Sequence, residues 1–232
     1  MEERLAGAIV PVLSISLDPG ESIVAPAGEF SWMTDTIQMT SGPAGRGDES
    51  GGPPLSAFTA KGSPGTIAFA CKLPGGMRGI DVQPGAGYLV HRGGFVAATP
   101  GVVVRPGYRQ SFSAGIYARG GFGLEHIDGA GRAWIEFRGD VVRHDLGAGE
   151  SLRAHPGHVG MFAASVAFTL TKVPGIANRY FGPEAHHFAV LSGPGPVWLQ
   201  SMTLPALPGG TESGPAADGA STVSGAIGGA PA

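Results

Sequence analysis

The segment Leu17–Ile23, which reads LDPGESI, decides the fold because the chain carries two further copies of it. Leu146–Leu152 reads LGAGESL, and Val82–Tyr88, VQPGAGY, is a looser copy. Their central glycines, Gly20, Gly85 and Gly149, are 65 and 64 residues apart. A second glycine follows each copy at a similar distance: Gly28, Gly93 and Gly157. A fixed spacing of this kind is typical of an internal repeat.

The repeated segment has the chemistry of a tight turn. Proline at the second position and glycine at the third fit a type II turn, in which glycine supplies the positive φ. Pro19-Gly20 and Pro84-Gly85 satisfy both requirements, and Gly149 keeps the glycine. We expect a second turn at the later glycine of each copy, and a hairpin of defined register around the first.

A second motif repeats in the same frame. Ile127–Ile135 aligns with Leu191–Leu199, and both carry Gly-x-Gly followed by a tryptophan, Trp134 or Trp198. Lys61–Ile67 is a looser version. The two motifs together predict three homologous lobes, approximately 8–70, 71–130 and 131–204. A lobe of this size buries too little surface alone, so the three should pack as one domain over 1–204.

Composition supports an all-β fold with essentially no helix. The 232 residues include 41 Gly and 20 Pro, which are unfavourable inside helices. The chain is 42% hydrophobic and 14% charged, and its net charge of -3 is too small for a disordered protein. Alternation at Leu13, Ile15 and Leu17 predicts a half-buried strand, as does Val166–Leu170. Strand 197–204 is apolar on both sides, which predicts that both its faces are covered.

Other segments predict flexible regions and a compartment. Residues 205–232 are Gly, Ala, Ser, Thr and Pro with little apolar content, which predicts a disordered tail. Ser41–Pro54 is interpreted as a surface loop. A single cysteine, Cys71, and no apolar run of membrane-spanning length lead us to expect a cytoplasmic protein without a transmembrane segment.

Four segments resemble the AIM24 family: Leu17–Ser22, Phe30–Met33, Leu146–Ser151 and above all Gly193–Ser201, GPGPVWLQS. The resemblance covers roughly Ile9 to Leu204. It implies triplicated β-sandwich lobes similar to the tryptophan RNA-binding attenuation protein, in chains that assemble as homotrimers. It also implies an uncharacterised, non-enzymatic scaffold or binding protein, with links to membrane organisation in mitochondria and to stress response in bacteria.

Residues that could support catalysis have structural explanations. His155 and His158 flank the repeated glycine Gly157, and the adjacent His186 and His187 would point to opposite faces of a strand. These patterns favour turn or surface histidines over a metal site. Cys71 follows an apolar strand, which favours a buried thiol. Nucleotide-binding loops are absent from the sequence. We therefore expect no enzyme activity, metal or cofactor.

The middle of the chain is basic although the whole is acidic. Between Lys72 and Arg119 lie six basic residues and a single acidic one, Asp81. Arginine binds phosphate and carboxylate groups through its planar fork, so Arg92, Arg105 and Arg109 are weak candidates for anion binding. The alternative function is therefore a binder of nucleic acid or another anionic ligand. The three tryptophans, Trp32, Trp134 and Trp198, are expected to fill the core or interfaces.

Overall fold

The computed structural model describes residues 1–26, 28–41, 53–110, 122–172 and 187–203. These residues form antiparallel β-strands and contain no α-helix; a single 3-10 turn spans Pro156–His158. The predicted all-β fold class is confirmed. The predicted disordered tail and most of the predicted surface loop lie outside the described residues.

The strands fall into three units of six, preceded by β1 (Glu2–Ala6). Unit 1 contains β2 (Val12–Leu17), β3 (Ser22–Pro26), β4 (Trp32–Met33), β5 (Ile37–Ser41), β6 (Leu55–Ala60) and β7 (Gly65–Ala70). Unit 2 contains β8 (Gly75–Val82), β9 (Tyr88–His91), β10 (Phe95–Ala98), β11 (Val102–Gln110), β12 (Phe122–Gly129) and β13 (Gly131–Arg138). Unit 3 contains β14 (Val141–Leu146), β15 (Ser151–Ala154), β16 (Val159–Ala163), β17 (Ala167–Lys172), β18 (His187–Ser192) and β19 (Gly195–Gln200).

The same pairing scheme recurs in all three units. The sixth strand of each unit lies between the first and the third, as in β2-β7-β4, β8-β13-β10 and β14-β19-β16. The fifth strand lies between the second and the fourth, as in β3-β6-β5, β9-β12-β11 and β15-β18-β17. The internal repeat seen in the sequence is therefore a repeat of strand topology.

Neighbouring units are joined edge to edge. Strand β3 of unit 1 pairs with β10 of unit 2, and β9 of unit 2 pairs with β16 of unit 3. Four sheets result: sheet 1 (β1-β2-β7-β4), sheet 2 (β5-β6-β3-β10-β13-β8), sheet 3 (β11-β12-β9-β16-β19-β14) and sheet 4 (β15-β18-β17). Sheets 2 and 3 each contain three strands from each of two adjacent units.

Three hydrophobic cores are formed by successive pairs of sheets. Core 1 is built by sheets 1 and 2, core 2 by sheets 2 and 3, and core 3 by sheets 3 and 4. Strands of the two central sheets contribute to a core on each face. On β19, Val197 packs in core 3 and Trp198 in core 2, which confirms that both faces of this strand are covered.

The repeated turns have the predicted conformation but not the predicted role. Gly20, Gly85 and Gly149 have φ of +88°, +75° and +82°. In each turn an i+3 N–H donates to the i carbonyl, as from Glu21 to Asp18. The expected hairpin is wrong, however, because each turn links strands of different sheets, as β2 in sheet 1 to β3 in sheet 2. The turn redirects the chain between layers, and strand register is set by distant partners.

Second turns occur at the three later glycines as well. In each, an N–H three residues on donates to the carbonyl of Pro26, His91 or His155. Strand β13, which falls in the third predicted lobe, pairs along its full length with β8 of the second. The lobe bounds drawn from the sequence otherwise stay a prediction.

Candidate functional site

His155 and His158 of unit 3 form part of a turn. His155 precedes the 3-10 turn, and its Nδ1 accepts a hydrogen bond of 3.3 Å from the N–H of Gly157. The Nδ1 of His158 lies 2.8 Å from the carbonyl oxygen of Gln200. The two rings are 5.7 Å apart. The described part of the chain holds no group of three or more His, Cys, Asp or Glu side chains that could bind a metal ion. His186 lies outside the described residues.

A buried polar cluster joins units 1 and 2. The ring of His91 contacts the carbonyl oxygen of Glu136 at 2.9 Å and packs against Phe137. Burial lowers the pKa of His91 to about 4 and raises the pKa of Glu136. The Glu136 carboxylate accepts the N–H of Lys72 at 3.2 Å. Beside it, Cys71 is buried, as the sequence predicted, and burial raises the pKa of its thiol to about 12.

The same contact recurs one unit later. Gln200 occupies the position of Glu136, and its Oε1 accepts the N–H of Arg138 at 3.1 Å. Its amide group donates to the carbonyl of Gly157 at 3.2 Å. Both side chains thus fasten the segment that links one unit to the next. This repetition identifies a structural role for the cluster rather than a site open to substrate.

The arginine candidates are distributed around β12. Arg92 is exposed in the turn after β9, and its side chain lies beside Gly123. Register places Arg109 opposite Gly123 and Arg105 opposite His126. Gly123 and His126 are three residues apart on one strand, so they lie on opposite faces. The structure brings Arg92 and the backbone of Arg109 together, and it places Arg105 at a separate position.

An ion-pair network at the N-terminus was missed from the sequence. Glu3 on β1 accepts hydrogen bonds from Trp134 Nε1 at 2.7 Å and Arg132 Nε at 2.8 Å. Asp81 also binds Arg132, at 2.8 Å. The Arg132 guanidinium lowers the pKa of Glu3, so the carboxylate stays charged. Nothing in the spacing of Glu3 relates it to residues so far along the chain.

Two unpaired sheet edges lie at opposite ends of the stacked array. Strand β4 is one edge of sheet 1, whose other edge is β1, and β15 is one edge of sheet 4, whose other edge is β17; within the described ranges neither β4 nor β15 pairs on its outer side. These are a third strand and a second strand. Where units meet inside the chain, a second strand pairs with a third strand, in β3–β10 and in β9–β16. The open edges at β4 and β15 are therefore the same two kinds of strand, a third and a second, that pair with each other inside the chain.

Large apolar side chains lie beside both edges. Trp32 on β4 is 55% exposed, and Phe188 on β18 is 39% exposed. Of the three tryptophans expected to fill the core or interfaces, Trp134 and Trp198 are buried in the core, and Trp32 is exposed in the single chain. Phe188 was not singled out in the sequence. An alignment of whole strands would have marked Phe188 as a core-type position, because it aligns with Leu55 and Leu124. The structure shows both of these leucines to be buried.

The protein is of the all-β class, built from three six-strand units whose sheets are shared between neighbouring units. A family profile described as "Mitochondrial biogenesis AIM24" matches residues 4–202. The chain therefore belongs to the AIM24 family, as the sequence resemblance predicted.

Among solved structures, the chain is similar to the protein SPYM3_0169 from Streptococcus pyogenes, known from an X-ray crystal structure. The TM-score is 0.71 at 17% sequence identity, over 87% of this chain and 94% of that one. This similarity concerns the fold alone. No curated protein matches the sequence. In the described parts of the chain, no helix has the length and apolar character needed to cross a membrane.

Proposed function

We propose that this protein is a non-enzymatic scaffold that acts by assembling with copies of itself. The observation that carries this proposal is the match between two of its open sheet edges, β4 and β15. An unpaired edge exposes a row of N–H and C=O groups, which proteins normally cover. Pairing β4 of one copy with β15 of another would cover both edges with the same scheme that joins the units within the chain.

A trimer is the assembly we propose. The contact is head to tail, and such contacts form closed rings when the rotation between copies closes. Three chains, as the AIM24 resemblance implies, would place nine units in one ring-like particle of the plan found in the tryptophan RNA-binding attenuation protein. A cytoplasmic particle of this kind would present a fixed surface to other molecules. Membrane organisation or stress response is the process that the family relationship suggests for it.

The absence of enzyme activity is part of the proposal. It is supported by the contacts of the side chains that could act in catalysis, because these side chains are either buried or hydrogen-bonded to the backbone. His158 contacts the carbonyl of Gln200, Glu136 holds the N–H of Lys72, and Cys71 is buried. Glu21 and Glu150 each accept an N–H within their own turn, at 2.9 and 2.7 Å.

Light scattering of the purified chain at micromolar concentration tests the assembly. We expect the mass of a trimer, both for the full chain and for a variant truncated after Leu204, because the removed residues carry little apolar surface. A monomeric mass for both would contradict the scaffold. Loss of assembly in the truncated variant alone would show that the tail takes part.

A second candidate function is binding of an anionic ligand or nucleic acid by unit 2. Its support is the exposed Arg92 beside the position of Arg109. Retention on heparin or RNA should then fall steeply with salt, because phosphate contacts release counterions. Replacing Arg92, Arg105 and Arg109 with alanine should reduce retention, whereas Arg143→Ala on β14 serves as a control. No retention at low salt would exclude this candidate.

A further inference from the structure

We infer that Trp32 and Phe188 are reciprocal anchors of a head-to-tail interface between two copies of this chain. In it, Trp32 of one copy completes core 3 of the next, and Phe188 of that copy completes core 1 of the first. This inference rests on the proposed self-assembly and specifies its contact surface, its register and the residues that carry it.

The register follows from the two junctions inside the chain. In sheet 3, Met161 lies opposite Val90, and Phe162 lies opposite Leu89. In sheet 2, Ala98 lies opposite Val24. Leu89 and Val24 are the fourth residues after the turn glycines Gly85 and Gly20, so Arg153, four after Gly149, takes their place in unit 3.

The third strands align through their sixth-strand partners. Trp32 lies opposite Ala68, Ala97 opposite Trp134, and Met161 opposite Trp198. Trp32 is therefore equivalent to Ala97 and Met161, and Met33 to Ala98 and Phe162. Both junctions then predict one register, in which Met33 of one copy lies opposite Arg153 of the next, and Trp32 lies opposite Ala154.

Each aligned pair contains one tryptophan, and two of the three tryptophans are already buried by a neighbouring unit. Trp134 of unit 2 packs in core 1 beside unit 1, and Trp198 of unit 3 packs in core 2 beside unit 2. In units 2 and 3 the tryptophan of the pair is on the sixth strand. In unit 1 it is on the third strand instead, as Trp32, and the sixth strand carries the small residue Ala68. Trp134 and Trp198 thus each pack in the core of the unit that precedes their own. By the same relation, Trp32 packs in the core of a unit that precedes unit 1. In the interface inferred here, that core is core 3 of another copy.

Phe188 shows the complementary relation at the other end. Its equivalents are Leu55 in unit 1 and Leu124 in unit 2, at the fifth-strand position three residues before Phe58 and Ile127. Leu55 is 5% exposed in core 2, and Leu124 is 2% exposed in core 3, each in the core of the following unit. Among the described residues no further unit follows unit 3, and Phe188 is 39% exposed.

A single interface between two copies would therefore bury both exposed side chains, Trp32 of one copy and Phe188 of the other. Burying Trp32 and Phe188 together removes two large apolar side chains from water, which is the composition found at interface hot spots. Ala154 is small where Trp32 would lie, whereas Val90 in the corresponding place faces Met161. Arg153 replaces Val24 and Leu89, and its aliphatic stem can cover apolar surface while its charge stays in water.

The first test compares Trp32→Ser and Phe188→Ser with Val142→Ser. Val142 is a matched control, since it is 53% exposed on β14, an edge strand of sheet 3, which takes no part in the interface inferred between β4 and β15. We expect each anchor variant to weaken assembly by more than about tenfold in dissociation constant, measured by light scattering across a dilution series. The control should assemble like the wild type. Unfolding curves of the anchor variants at monomer concentration establish that they remain folded.

A cross-link tests the register independently of stability. In the double variant Met33→Cys and Arg153→Cys, oxidation should produce disulfide-linked dimers and trimers, because the two positions face each other between copies. Met33→Cys with Arg143→Cys should not. The native Cys71 is buried and stays in all variants.

The outcomes separate the inference from the proposed function. A wild type that is monomeric overturns both. An assembled wild type whose Trp32→Ser and Phe188→Ser variants assemble equally well overturns the anchors and leaves the scaffold standing. Equal cross-linking in the test and control variants, or none in either while the protein is assembled, overturns the register.

Discussion

The indole Nε1 of Trp134 donates a hydrogen bond of 2.7 Å to the carboxylate of Glu3, across 131 residues of chain. Strand β1 is exposed along its length and pairs only with β2 among the described strands. Glu3 therefore connects this outer strand to the sixth strand of unit 2. Because the indole is otherwise buried, Glu3 also supplies the partner that its N–H needs.

Glu3→Ala should lower the free energy of unfolding by about 1–2 kcal/mol at neutral pH, because it leaves the Trp134 N–H without its acceptor. Glu2→Ala is the matched control, and we expect it to change stability by less than about 0.5 kcal/mol. The lowered pKa of Glu3 gives stability that is present above the ordinary carboxyl pKa and lost as pH falls through the lowered value. Urea unfolding at two pH values measures both effects, and equal losses in the two variants would contradict the role of Glu3.

Gly20→Ala should destabilise the protein by about 1–2 kcal/mol, because φ is +88° and an L-residue is strained there. Space is not the obstacle, since a Cβ at Gly20 would meet nothing within 4 Å. Gly28 also has open space, and its φ is not in the left-handed region, so Gly28→Ala should be nearly neutral. Thermal unfolding compares the pair; similar stability of the two variants would contradict the conformational explanation.

Glu136→Gln should raise the free energy of unfolding by about 1 kcal/mol at pH 8, where burial of the charged carboxylate is unfavourable. The equivalent residue Gln200 shows that an amide can accept the same backbone N–H. Because the folded pKa of Glu136 is raised, the gain should shrink as pH falls through that value. A loss of stability at pH 8 would instead show that the charge is needed by Lys72 or Arg138.

His91→Gln should reduce the sensitivity of the protein to acid. The folded pKa of His91 is about 4, so only the unfolded chain binds its proton between about pH 6.5 and 4. Stability from this histidine is present above about pH 6.5 and declines toward pH 4, by about 1–3 kcal/mol. The nearby Arg138 and Lys72 contribute to the low pKa. Unfolding curves for wild type and variant across this range should converge at low pH, and parallel curves would contradict the prediction.

The strand content and the repeat could be predicted because they depend on local chemistry. Positive φ at Gly20, Gly85 and Gly149 follows from the residue type, and alternation at Leu13, Ile15 and Leu17 predicted a buried face that the structure confirms. The hairpin prediction was wrong because a turn constrains only its own four residues. Whether the next strand returns to its neighbour or crosses to another sheet is decided by pairings with strands such as β6, far along the chain.

The candidate site was less predictable for the same reason. Glu3 and Trp134, or His91 and Glu136, are brought together by sheet pairing and share no local motif. Charge clustering along the chain singled out Arg92, Arg105 and Arg109, yet neighbours in a strand alternate between faces. The sequence could not decide between core and interface for Trp32, because no residue described in its own chain covers it.

Because neighbouring units share sheets, the order in which strands leave the ribosome determines when each sheet can be completed. Strand β3 acquires its outer partner only when β10, residues 95–98, has left the ribosome, and β1 meets Trp134 later still. Each unit therefore waits for the beginning of the next before its sheet is complete. The nascent chain therefore carries an incomplete edge forward from unit to unit, and among the described strands the edge at β15 has no outer partner. A chaperone that holds exposed strands would have its substrate at every stage of synthesis.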